Sequence, residues 1–397
     1  MSASISHGRI IKSDFKSDSS WRAVIAAFML NGLLFGAWAA RVPTFKDHFD
    51  LAPGTLGVLL LALAGGAIVS FPLAGALSEK LGPKKLTIGC TWFYCLSLVS
   101  LAYAPSVLVL GIALFMFGIF HGAMDVAMNG WGAQVEKLLK RSTMSIFHAM
   151  FSLGAGVGAA SGYVALKLET GTDLHFLLIA VIGGVLALIA MTRGANLQAV
   201  SAHNDERRSL VALPTAPLFF VGLIAFAVSM GEGAMADWSA VFLRIVVQST
   251  EAQAALGYAV FSFMMVATRL LGGLLVERYG PVMTTRVSTG IAFMGVMIAI
   301  LGNTLVLVLV GFALMGIGYA VVMPLVFSRA ACDPDVAPGP ALASVATLGY
   351  GGMLLGPPTI GFVAEMTGLR WSFLILAGLA LLAVVLAPRL AVMEQTQ

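Results

Sequence analysis

Gly75-Ala76-Leu77-Ser78-Glu79-Lys80-Leu81-Gly82-Pro83 separates two long apolar runs, and Gly273-Leu274-Leu275-Val276-Glu277-Arg278-Tyr279-Gly280-Pro281 repeats its pattern 198 residues later. At the same offset Gly118 meets Gly316 and Gly158 meets Gly356. A duplication of this period divides the 397-residue chain into two similar halves. The glycines permit a tight turn and close helix approach. The acid in each copy can pair with a cation or a helix N-terminus in one conformation and release it in another. Gly75, Glu79, Lys80, Gly82, Glu277, Arg278 and Gly280 are therefore candidate gating residues. A solvated turn is the simpler reading of one copy alone, and two copies in register favour the gate.

The composition places this duplication in a bilayer. Apolar residues make up 59% of the chain and charged residues 11%, with a mean hydropathy of +0.94. A spanning helix uses about 20 mostly apolar residues, so the apolar content suffices for about twelve spans. Such a chain is no soluble enzyme. The net charge of +4 does not signal nucleic acid, because the 23 Lys and Arg are scattered between apolar runs and form no basic face. Cys90 and Cys95 share one apolar run and face apart, so they read as packing residues and no disulfide framework is expected. The polar first twenty residues lack the build of a cleaved signal, and the first span is expected to persist.

Apolar runs set against charged and Pro/Gly punctuation place spans near 21–41, 54–77, 86–104, 107–134, 143–166 and 175–192. Six more lie near 215–243, 254–276, 284–302, 305–328, 341–364 and 371–387. The expected class is an all-α integral membrane protein of twelve helices in two pseudo-symmetric six-helix bundles, 21–192 and 215–388. A polar linker at 193–214 joins them, and tails 1–20 and 389–397 flank them. With the N-terminus cytoplasmic, 17 Lys and Arg fall in inside segments and 5 in outside loops, which favours both termini inside the cell. Arg269 lies within a span, two turns before Glu277, where it snorkels or ties the inner gate; a structural role is its default.

Polar residues inside spans mark the candidate site. In the fourth span Gly118, His121, Gly122, Asp125 and Asn129 recur at steps of three and four, so they share one helical stripe. A carboxyl group at mid-bilayer is costly and is typically found on a proton or ion pathway, or paired. Asp125 and His121, one turn apart, are read as a coupled pair able to carry a proton, with a polar clamp between helices as the alternative. In the seventh span Gly231 and Gly233 flank Glu232 and weaken the helix by about 1 kcal/mol each, which suits a bend beside a cavity. Glu232 is thus a second proton-coupling candidate, whereas Asp237 is expected to pair with Arg41 or Arg244. The first span aligns Asn31, Phe35, Trp38 and Arg41, and Trp38 stands 200 residues before Trp238. Aromatic faces of this kind stack on a sugar-like ring, close a gate, or form an interfacial belt. Asn31, Phe35, Trp38, Asn129 and Trp238 are the candidate substrate contacts. In the fifth span Ser145, His148 and Ser152 precede the packing series Gly154, Gly158 and Gly162.

The loop GALSEKLGPKK at 75–85 resembles the signature Gly-x-Leu-x-Asp-Arg-x-Gly-Arg-Lys of the major facilitator superfamily, with Glu79, Lys80 and Pro83 departing from it. The fourth span, with Asp125 and then Asn129, resembles the fucose permease group, although Gly130 stands where that group has proline and the first span has no acid. That resemblance implies a proton-coupling role for Asp125 and a substrate or structural contact for Asn129. Through HGAMDVAMN, FHAMFSLGAGVG and GEGAMADWSAVFLR nearly the whole chain is similar to bacterial inner-membrane proteins of the YbjJ/MosC type. One member of that set is associated with rhizopine, an inositol amine.

The expected function is secondary active transport, by proton-coupled uptake of a small polar solute such as a sugar, polyol or inositol derivative, through alternating access. Proton-driven efflux of an amphipathic compound is the alternative within transport. A membrane enzyme or metal site built on His121, Asp125 and His148 is a further alternative, disfavoured because the fourth span supplies no third ligand. The chain has no Gly-x-x-x-x-Gly-Lys-Ser/Thr loop, so ATP is not the expected energy source. No cofactor, metal or nucleic acid is expected. The partners are the solute, protons and lipid, and the chain is read as a monomer of the bacterial cytoplasmic membrane.

Overall fold

The computed structural model describes residues 3–140, 143–195 and 215–391, and every regular element in them is helical. In order these are α1 (Ala3–His48), α2 (Pro53–Leu81), α3 (Pro83–Leu101), α4 (Val107–Leu139), α5 (Met144–Lys167), α6 (Thr172–Arg193) and α7 (Ala216–Val246). There follow α8 (Glu251–Leu301), α9 (Leu305–Tyr319), α10 (Val322–Ala331), α11 (Pro338–Thr367), α12 (Leu369–Ser372) and α13 (Leu374–Leu386), then a 3₁₀ turn at Ala387–Leu390. Residues 196–214 of the expected linker and 392–397 of the C-terminal tail lie outside the described residues.

Among the described residues, nine helical stretches are long and apolar enough to cross a membrane. Leu108 and Val306 are 75% and 72% exposed, and Leu73, Leu96, Leu186 and Leu274 are exposed as well. Apolar side chains presented outward on this scale suit lipid, since the bilayer rather than water is then the solvent.

Besides the breaks that divide the spans expected at 305–328 and 371–387 into α9 and α10 and into α12 and α13, the helices differ from the sequence expectation in two places. Helix α1 reaches back to Ala3, through the stretch expected as a polar tail. The spans expected at 254–276 and 284–302 form one 51-residue helix, α8, broken only at Gly280 (φ 73°, ψ 165°). Gly82, its counterpart in the first copy of the repeat, has φ 84° and ψ 144°. Backbone at positive φ with ψ this extended is open to glycine almost alone, so both copies need the residue they share. Pro83 and Pro281 follow directly, at helix starts where a missing N–H costs nothing.

The repeat also recurs in the packing. A Cβ on Gly118 would run into the carbonyl of Leu63, and one on Gly316 into the carbonyl of Phe261, each pair being offset by 198 residues from the other. Helix α4 therefore packs on α2 as α9 packs on α8. Likewise Gly154 approaches the carbonyl of Met29 and Gly352 that of Phe226, so α5 packs on α1 as α11 packs on α7. Backbone-to-backbone approach of this kind is how helices associate in lipid, where burial of apolar surface gives no net drive.

Gly154→Val should destabilise the protein by about 1–3 kcal/mol through overpacking. Gly75→Ala, at a helical position where an added Cβ meets nothing, should be neutral or stabilising by up to about 1 kcal/mol. Thermal unfolding in detergent checks both, and equal effects would contradict the packing described.

Candidate functional site

The stripe on α4 faces protein, as an intramembrane polar stripe must. His121 is buried, and its Nδ1 lies 2.9 Å from the hydroxyl of Tyr94 on α3. Its ring stacks on Phe35 of α1 with centroids 5.0 Å apart, and its backbone carbonyl accepts from Asn31 Nδ2 at 3.5 Å. Of the two residues expected to act together, His121 turns its Nδ1 to Tyr94 on α3 while Asp125 is held by Asn129. Asn31 is fully buried, its Nδ2 also meets Met128 Sδ at 3.6 Å, and its Oδ1 has no partner.

Asp125 is half-buried, one turn further along α4. Its Oδ1 accepts from Asn129 Nδ2 at 3.1 Å, and the same nitrogen donates to the Asp125 carbonyl at 2.9 Å. The i, i+4 spacing that put both residues on one face also lets the amide clamp the carboxyl group from within the helix. The clamp is electrically neutral. Tyr350 of α11 lies within electrostatic reach of Asp125, and its ring meets Phe71 of α2 at 4.9 Å, so the carboxyl group sits where the two halves of the chain meet.

Glu232 has a different setting. Its Oε2 pairs with Arg269 Nη2 of α8 at 3.4 Å, while its Oε1 is buried without a partner. The Arg269 side chain is 12% exposed and does not snorkel to the end of its helix, which leaves the other expected role, a tie between helices. The desolvated guanidinium finds its acceptors inside the bundle instead. Asp237 does not receive the cations expected for it. Arg244 pairs with Asp47 at 3.2 Å, and Arg41 donates to His175 Nδ1 at 3.3 Å and to the Thr170 carbonyl at 2.8 Å.

Trp38 and Trp238 are both fully buried and their indole nitrogens have no partner. Trp38 packs against Phe45 and Phe117, at 5.2 and 6.5 Å, so it is a core residue and not part of an interfacial belt. In the repeated loops Glu79, Lys80, Glu277 and Arg278 are exposed, and Arg278 covers the Tyr279 ring at 5.5 Å. Next to the first copy, Lys84 donates to the Gly194 carbonyl at 2.5 Å and caps α6.

Contacts between the halves close the end of the molecule where α1 turns into α2. Asp47 meets Arg244, Thr44 hydrogen-bonds Glu251, and the Gly54 N–H donates to Glu365 Oε1 at 3.0 Å. Behind them α2 and α11 touch through Gly57, Pro357 and Gly361, with Cβ space too small for any larger residue at Gly361. At the N-terminal end of α5, Ser145 and His148 are exposed.

Sequence reasoning missed Tyr94, Tyr258, Tyr319 and Tyr350. Phe35 meets Tyr258 across the halves at 6.3 Å, and the Tyr319 hydroxyl is buried without a partner. The available signal was a tyrosine inside an apolar run, whose hydroxyl demands a partner once buried.

The Major Facilitator Superfamily model matches residues 23–331. The chain is 47% identical over 369 residues to the uncharacterized transporter y4wD of Sinorhizobium fredii, covering 93% of this chain and 97% of that one. It is 31% identical over 355 residues to the membrane protein MosC of Rhizobium meliloti, covering 89% and 85%. Among solved structures, a mutant form of the nucleoside transporter NupG superposes with a TM-score of 0.73 at 12% identity, covering 94% of this chain and 99% of that one. A bacterial homologue of the human lysosomal transporter Spinster, in an inward-facing and occupied conformation, gives 0.71 at 17% identity, covering 94% and 96%.

Tyr94→Phe should cost about 1–3 kcal/mol, because it leaves the buried His121 nitrogen without its hydroxyl partner. Thermal unfolding of the purified variant reads this directly, and unchanged stability would show that the Tyr94–His121 contact carries no weight.

Proposed function

This chain belongs to the Major Facilitator Superfamily, and on that premise we propose that it is a proton-coupled symporter for a small polar solute. Membership makes it a multi-pass secondary transporter of the alternating-access type and places it outside the catalytic enzyme families. The finer reading is twelve spans in two bundles, 21–192 and 215–388, joined by a cytoplasmic linker with both termini cytoplasmic. The two arms of α8 either side of Gly280, together with α3 and α11, supply the spans beyond those long and apolar enough by themselves. On this orientation the end closed by Asp47–Arg244, Thr44–Glu251 and Gly54–Glu365 is the outer one.

One observation carries the coupling. The Asp125 carboxyl group is held by a neutral amide, so it can gain or lose a proton without stranding a partner's charge. Glu232 is held by a guanidinium, and a proton there leaves Arg269 uncompensated. Asp125 is therefore the primary proton carrier and Glu232 a second, coupled site. His121 is fixed by Tyr94 and Phe35 and positions the stripe. Asn31, Phe35 and Asn129 shape the solute site, backed by the buried Trp38 and Trp238. A sugar, polyol or inositol derivative suits it, because hydroxyl groups match the unpartnered Asn31 oxygen and Tyr319 hydroxyl. The repeated loops act as the inner gate.

A thermal-shift screen of sugars, polyols and inositol derivatives identifies a ligand, since binding stabilises the folded state by mass action. In proteoliposomes with that ligand, Asp125→Asn should abolish uphill uptake driven by a proton gradient while leaving counterflow exchange. Undiminished uphill uptake in the variant would overturn the assignment, and ligand movement in the opposite direction would favour efflux.

A further inference from the structure

Where α5 crosses α8, the Arg269 guanidinium is gripped from both halves of the chain. Nη1 donates to Ser152 Oγ at 2.6 Å and to the His148 carbonyl at 3.2 Å, both on α5. Nε donates to the Ala320 carbonyl, between α9 and α10, at 3.3 Å, and Nη2 donates to Glu232 Oε2 on α7. The Ser152 hydroxyl itself donates to the His148 carbonyl at 3.2 Å, so toward Arg269 it acts only as an acceptor. Every hydrogen in this chain of contacts thus has one direction, from Arg269 to Ser152 to His148. Only a planar fork can address an acid on one side and two oxygens of another helix on the other; a lysine ammonium is a single point of charge.

The acceptors differ in kind. Three are neutral, whereas the Glu232 carboxylate is the one counter-charge, and a proton or a solute hydrogen-bond donor can compete for it. The remaining ionisable groups facing this cluster are His148 on α5, Tyr258 on α8 and Tyr319 on α9. Neighbouring positions confirm that the two helices touch here, because a Cβ on Gly156 of α5 would meet the ring of Phe263 on α8.

We propose that Arg269 is a positioning residue that couples the state of Glu232 to the seating of α5 against α8. While the Glu232–Arg269 pair stands, the guanidinium is oriented to hold Ser152 and His148, and the halves are braced at this level. When Glu232 is taken by a proton or a solute, the guanidinium turns away and α5 is free to part from α8. This requires only that the halves move relative to one another, and it stands whether or not Asp125 is the proton carrier.

The test is the α5–α8 distance in the full-length protein in nanodiscs. It is read by electron–electron double resonance between spin labels at Ser145→Cys and Leu271→Cys, both exposed positions, in a background with Cys90, Cys95 and Cys332 replaced by alanine. The parent should give one short, narrow distance population. Ser152→Ala removes the shorter of the two α5 contacts, leaving the His148 carbonyl, without touching the ion pair, and Glu232→Gln removes the counter-charge without touching α5. Each should add a longer, parted population, and Arg269→Lys should fail to restore the short one. Parent-like distances in both Ser152→Ala and Glu232→Gln would overturn the proposal and leave Arg269 as packing within its own half. Should Arg269→Gln misfold by stranding Glu232, the double variant Arg269→Gln/Glu232→Gln removes both charges, and it too should show the parted population.

Discussion

A charged or polar group carried into hydrocarbon must find its partner within the protein, and the arrangement of this molecule follows from how each such group is satisfied. His121 is answered by a tyrosine hydroxyl, Arg41 by an imidazole and a backbone carbonyl, and Glu232 by a guanidinium. Asp125 is answered by an amide one turn along its own helix. These solutions are not equivalent. A carboxylate facing a cation resists protonation because the cation would be stranded, whereas a carboxyl group facing an amide can exist in either form with a hydrogen bond retained. The difference sets Asp125 apart from Glu232.

The mobility that a transporter needs has an equally local origin. Glycines at matching places in the two halves let helices meet backbone to backbone, α4 on α2 and α5 on α1 in one half, α9 on α8 and α11 on α7 in the other. Each pair forms a stiff unit, because overlap of this closeness leaves no room for sliding side chains. Between the halves there are polar contacts as well, an ion pair, a carboxylate on a backbone N–H and a threonine hydroxyl, beside the close approach of α2 to α11 at Gly57 and Gly361. Stiff units whose mutual contacts include breakable polar ones favour rigid-body rocking over local deformation.

The fold was largely legible in the sequence, since bilayer thickness sets span length and the 198-residue repeat sets the pairing of the halves. Gly82 and Gly280 show why: a conformation closed to other residues left the same letter in both copies. The stripe on α4 was legible for the same reason, helical periodicity placing His121, Asp125 and Asn129 on one face. Which partner each would take was not. Periodicity along one helix is silent about its neighbours, so the tyrosine on α3 that claims His121 and the arginine on α8 that claims Glu232 emerged only from the packing. For Arg269 the sequence left snorkelling and a tie between helices both open, because two turns from a helix end is within reach of water for a free side chain. Acceptors supplied by α5, α7 and the α9–α10 turn hold it inside.

The central claim is that the exchangeable proton resides on Asp125, and pH-difference infrared spectroscopy of the protein in lipid tests it without knowledge of the solute. The account predicts a protonated-carboxyl band that appears on acidification and is lost in Asp125→Asn, while Glu232→Gln retains most of it. A band that survives Asp125→Asn and vanishes in Glu232→Gln would contradict it.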